Sequence, residues 1–255
     1  MYIVGHYVTT RLSERFSPAV LNGDAAAALY LPDFVRCHEW GYAQCFRLPD
    51  ADPANALVKS HMLGDWWVHY GDGEVEKRRG WAYRRMAIYA RCYDEFFAAA
   101  ARDGLLVSPD GPRDSVRGFS HTMMEYAIDT HLAARLPADT FHTVQRCVAH
   151  IGADDNGWSV PAVLAFITSR GIEGSFESIA VDMASYRTRA AAASQPAEFA
   201  YRAGVKKFGL HETPASLRLV ANTIHEGLAE IPGPEIDDVV AATASFIARH
   251  VSTRH

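Results

Sequence analysis

The chain has 255 residues, of which 49% are hydrophobic and 22% charged, with a formal net charge of -5 at pH 7. That is enough apolar material for one large core, and the acidic balance excludes a protein held on nucleic acid or anionic membrane by a basic surface. No apolar run approaches the ~20 residues that cross a bilayer, and Cys37, Cys45, Cys92 and Cys147 form no C-x-x-C pair, so reduced thiols are expected in place of a disulfide framework.

In chain order, the opening MYIVGHYVTTRLSERF lacks the basic-then-apolar pattern of a signal peptide, and the protein reads as cytoplasmic. Heavy use of alanine, apolar residues three and four apart, and the near absence of alternating Val, Ile and Thr predict an all-α fold. Helices are expected over roughly 5–22, 54–71, 74–103, 114–135, 138–151, 158–170, 175–192, 195–207, 213–230 and 234–252. The breaks carry turn chemistry: LPDADPAN at 48–55, SPDGPRD at 108–114, GADDNG at 152–157 and IPGPE at 231–235. Each is short enough to connect helices inside one domain, so 1–255 reads as a single multi-helix domain. A soft boundary falls at 152–157, with ligand-type residues before it and packing helices after it. His211-Glu212 and His225-Glu226 lie in that second part. Adjacent pairs point about 100° apart on a helix and read as solvated.

Two stretches carry the chemistry. SHMLGDWWVH at 60–69 and SHTMMEYAID at 120–129 both place a histidine four residues before a carboxylate and a further ligand-type residue four later. On a helix such positions drift by about 40° per step, so His61, Asp65 and His69 share one face and His121, Glu125 and Asp129 share another. Facing helices that bear carboxylates and imidazoles build metal sites in bundle cores. This donor set suits zinc, iron or manganese. Met62, Leu63, Trp66, Val68, Met123, Met124 and Ile128 surround the two stripes. Burying several ionisable groups among them is costly unless a metal compensates. The plain alternative is a pair of ordinary solvated i, i+4 pairs.

HMLGDWWVH followed by HTMMEYAID resembles the zinc-dependent phospholipase C family, an all-helical group that includes bacterial phospholipases and intracellular relatives. The likeness covers about the first 130 residues. It implies that His69, His121 and Glu125 hold one zinc and that His61 and Asp65 hold a neighbouring one, with Asp65 as the bridge. It also implies that His6, in IVGHYVTTRL, binds metal, and that Asp33 and His38, in LPDFVRCHEW, stand for the family's upstream aspartate and an additional histidine ligand. The secreted members present a processed N-terminal tryptophan to zinc. This chain begins Met-Tyr, so two ions are expected and a third stays open.

Such a cluster would generate hydroxide from bound water and clamp the oxygens of a phosphodiester or phosphomonoester. Asp33 is the expected water-orienting group and Asp129 an outer partner that orients an imidazole. Arg117 and the run Lys77, Arg78, Arg79 could neutralise substrate charge. The expected partner is a small-molecule substrate, with neither nucleic acid nor stable membrane association. Two alternatives stay open: an iron or zinc enzyme of small-molecule biosynthesis with non-phosphate chemistry, and a non-catalytic helical protein with a structural metal site.

Overall fold

A computed structural model describes residues 1–33, 48–71, 80–108, 114–149, 151, 159–169, 171, 175–252 and 254–255. Among them the regular structure is helical, with no strand beyond an isolated bridge between Leu106 and Leu210. The helices are α1 (Ile3–Leu12), α2 (Pro18–Asn22), a 3-10 helix (Asp24–Asp33), α3 (Pro53–Tyr70), α4 (Trp81–Arg85), α5 (Ala87–Ala90), α6 (Tyr93–Arg102), α7 (Val116–Ala133), α8 (Ala138–Ala149), α9 (Val160–Thr168), α10 (Phe176–Ala192), α11 (Glu198–Lys207), α12 (Pro214–Leu228) and α13 (Gly233–His250). None of them is long and apolar enough to cross a membrane.

The two helices that carry the candidate ligands begin where the sequence provides a cap. Ser115 is extended, and its hydroxyl accepts the Gly118 N–H at 3.0 Å, which starts α7. Asp52 accepts the Ala54 N–H at 2.7 Å beside Pro53, which starts α3. The expected helix over 5–22 is instead two helices. Glu14 takes a left-handed φ of 55° after α1, and Pro18 keeps Ser17 extended. The expected helix over 74–103 shows α4, α5 and α6 from residue 81 onward.

Contacts divide the chain into two compact units, each made of three segments. The first comprises Met1–Gly5, Val68–Arg135 and Ala193–Val239. Its axis is α7, on which α4, α5, α6, α11 and α12 pack. Phe119, Met123, Met124, Ala127 and Ile128 of α7 are fully buried. Phe96, Phe97, Phe119 and Phe208 meet edge to face and tilted at the centre of this core. The Tyr89 hydroxyl, buried with them, donates to the Ile224 carbonyl at 2.8 Å.

The second unit comprises His6–Trp67, Leu136–Ala192 and Val240–His255. Here α8 packs on α10, α2 and the 3-10 helix, and α9 packs on α10. Chain segments distant in sequence close it: Ser17 N–H donates to the His255 carbonyl at 2.5 Å, and His255 N–H donates to the Arg15 carbonyl at 2.8 Å. Cys147 is buried as a free thiol within this unit.

Candidate metal centres

In the second unit, α1 supplies His6, the end of the 3-10 helix supplies Asp33, and α3 supplies His61 and Asp65. Both imidazoles are fully buried and stack with their ring centroids 3.5 Å apart. His61 Nδ1 lies 2.7 Å from the Leu29 carbonyl. A carbonyl can only accept, so Nδ1 carries a proton and Nε2 is the ring atom left to face the carboxylates. That Nε2 stands 3.4 Å from Asp65 Oδ2 and 3.5 Å from Asp33 Oδ1. His6 Nε2 stands 3.3 Å from Asp65 Oδ1 without the alignment of a hydrogen bond, and its Nδ1 has no hydrogen-bond partner. Burial, with neighbouring His61, lowers the His6 imidazole to about 4. It is therefore neutral at pH 7 and keeps a lone pair for an ion.

Two buried imidazoles and two carboxylates turned toward one another form a donor set that a cation between them would satisfy. The residues present therefore fit a divalent ion. One atom from each of His6, Asp33 and His61 lies within 4.8 Å of the others, the spread a single ion can gather. The Tyr186 hydroxyl of α10 donates a hydrogen bond to Asp33 Oδ2, and Asp33 Oδ1 is turned toward His61. The Arg189 guanidinium lies 5.0 Å above the Tyr186 ring.

In the first unit, His69 ends α3 while His121 and Glu125 occupy successive turns of α7. His69 Nε2 and His121 Nε2 are 2.8 Å apart, and Glu125 Oε1 is 3.2 Å from the former and 3.7 Å from the latter. These three also converge within 4.8 Å. The Met1 nitrogen stands 3.4 Å from Glu125 Oε1. Burial works to raise the Glu125 carboxyl, but the Met1 nitrogen, His121 and His69 outweigh it and hold the group well below the usual carboxylate range. Gly80 fixes the end of α3: its N–H donates to the His69 carbonyl at 2.8 Å, and a Cβ there would lie 2.0 Å from the His69 carbonyl carbon.

The second group opens toward solvent at one end. Side-chain exposure is 5% at His69, 18% at Glu125 and 31% at His121. Tyr83 stacks near His121 at 5.7 Å and tilts over His69 at 5.8 Å. Arg117, one turn before His121, places its guanidinium 5.6 Å over the Tyr83 ring.

Thus His6, Asp33, His61 and Asp65 are brought together, as are His69, His121 and Glu125. His38 and the run Lys77, Arg78, Arg79 lie outside the described residues. Asp129 differs from expectation, because among the described residues it orients no imidazole: its Oδ1 accepts the Tyr2 and Gly5 N–H groups at 3.0 Å and its Oδ2 accepts Val4 N–H at 2.7 Å. Tyr186 is a site residue that the sequence reading did not contain. It lies 153 positions from Asp33, and no spacing rule links the two. No protein-family model matches the sequence, and no curated protein or solved structure matches it.

Proposed function

We propose that this chain is a metal-dependent hydrolase that cleaves a phosphoester of a small molecule, with zinc held by His69, His121 and Glu125 and by His6, His61, Asp33 and Asp65. The observation that carries the metal reading is His61. Its Nδ1 is committed to the Leu29 carbonyl, so its Nε2 is the ring atom that faces two carboxylates in a fully buried site. The phosphoester reading rests on the ligand pattern, which resembles the zinc-dependent phospholipases in order and spacing.

A divalent ion bound by these residues supplies Lewis acidity, which makes water more acidic and draws charge from a phosphoryl oxygen. The chain's own groups do the rest. Tyr186 holds one oxygen of Asp33 and leaves the other for the ion or for the proton of an attacking water. Neutral His6 offers a lone pair without first losing a proton. Arg117 and Tyr83 border the exposed end of the second group, where a substrate anion and its apolar portion would enter.

The test is elemental analysis of purified protein together with turnover of bis(p-nitrophenyl) phosphate and p-nitrophenyl phosphate. The expected result is two zinc per chain and turnover abolished by a chelator. Glu125→Gln should lower kcat/KM by at least about 100-fold, the upper end of what the outer partners of a metal cost. A metal-replete protein that turns over neither ester faster than Glu125→Gln would sink the hydrolase reading. Iron with a visible absorption band would point to oxidative chemistry instead.

A further inference from the structure

A second cavity lies within the second unit, lined from α1, α2 and α8 and separate from both ligand groups. Its volume is about 680 Å³, inside the range of small-molecule sites. Tyr7, Phe16 and Leu21 form an apolar floor, each no more than 6% exposed. Four charged side chains line it as well: Arg11 and Arg146, Glu14 and Asp139.

Elsewhere in the chain, arginines beside carboxylates pair with them directly, as in Arg85–Glu235 at 2.5 Å, Arg135–Asp237 at 2.7 Å and Arg202–Glu212 at 2.7 Å. In this cleft they do not. Arg11 Nη1 donates to Thr140 Oγ1 and Arg146 Nη2 donates to Thr143 Oγ1, both at 3.3 Å. Among the described residues neither guanidinium has a carboxylate oxygen within 4.0 Å. Thr140 and Thr143 are three apart on α8 and so share a face. Both guanidiniums are thus anchored to hydroxyls of that face. Asp139 Oδ1 instead accepts the Thr140 N–H at 2.8 Å. Glu14 leaves the end of α1 from its left-handed turn.

The Thr140 hydroxyl also reaches Asp139 Oδ1 at 3.5 Å, so the cleft sets two cations and two anions over an apolar floor without a direct ion pair from either arginine among the described residues. We propose that it binds a small zwitterion with an apolar body, of which an α-amino acid with a large side chain is the simplest example. The ligand's carboxylate lies between the Arg11 and Arg146 forks, which match its geometry. Its ammonium lies toward Glu14 and Asp139, and its body covers Tyr7 and Phe16. The site is independent of the metal-centred reading and stands if that reading fails.

The test is calorimetric titration of the full-length protein with L-phenylalanine, 3-phenylpropionate, which lacks the amine, and 2-phenylethylamine, which lacks the carboxylate. L-phenylalanine should bind at least about tenfold more tightly than either, the gain expected from one additional charged hydrogen-bonded contact. Arg11→Gln and Arg146→Gln should reduce L-phenylalanine to the affinity of the amine and leave the amine's own binding unchanged. Glu14→Gln and Asp139→Asn should do the converse and spare 3-phenylpropionate. All four side chains sit at the cleft rim, and circular dichroism of each variant checks folding. Equal binding of the three probes, no saturable binding of any, or insensitivity to all four substitutions would overturn the proposal.

Discussion

Burial lowers the His6 imidazole to about 4, whereas a histidine in the unfolded chain takes up its proton near 6.5. Between those values the unfolded state binds more protons, so stability falls as pH drops through the window, by up to about 3 kcal/mol. Asp129 has the opposite slope. Burial pushes its carboxyl up to about 7 against three backbone donors, so its contribution is lost as pH rises from about 4 toward 7. Metal-free wild type should show a nearly flat urea midpoint over this range, while Asp129→Asn should lose midpoint steadily on acidification. An acid-insensitive Asp129→Asn would show that His6 is not held neutral. At Tyr186, removing the hydroxyl with Tyr186→Phe should weaken zinc binding about 10–100-fold in a chelator competition, as expected for a group that orients a ligand. Unchanged affinity would reduce Tyr186 to packing. The grouping of the candidate ligands within α3 and α7 was legible in the sequence because i, i+4 spacing fixes a shared face whatever the tertiary fold. Tyr186 was not, because its relation to Asp33 exists only after α10 packs.

At the scale of elements, the start of α1 has no acidic residue in its first turn. Its first N–H groups need acceptors. Asp129 of α7 meets that need from across the first unit, accepting the N–H groups of Tyr2, Val4 and Gly5. A local reading of helix caps could not find this, and the i, i+4 spacing from Glu125 made Asp129 an expected outer partner of an imidazole instead. Gly5 belongs to the same device, since a Cβ there would stand 2.7 Å from Asp129 Oδ1. Gly5→Ala should therefore destabilise the protein by about 1–3 kcal/mol through overpacking, measured by urea denaturation. A neutral result would mean that the Asp129 carboxylate can retreat at no cost. The break between α1 and α2 was signalled by Ser17-Pro18, a stronger marker than the apolar spacing that suggested one long helix. The break between α4 and α5 carries no such mark: Met86, in helical geometry, both caps α4 and begins α5. The 3-10 helix over Asp24–Asp33 was likewise missed, since its alanine run ends in Leu-Pro-Asp with Pro32 inside the helix.

For the whole molecule, an ion that binds only the folded chain must stabilise it by mass action. Free zinc at a hundred times its dissociation constant should add about 2.7 kcal/mol per site and raise Tm, and a chelator should reverse the rise. A Tm indifferent to zinc would show that the ligand groups hold no ion in the folded state. All-helical architecture was legible from composition and periodicity. The division into units was not, because each draws segments from the beginning, middle and later parts of the chain. A cut near residue 152 would leave both units incomplete, although every proposed ligand precedes it. Synthesis on the ribosome runs in one direction, and the first unit lacks its third segment until Val239 has emerged while the second waits for His255. The nascent chain therefore exposes these imidazoles and carboxylates long before the segments that complete their units have emerged.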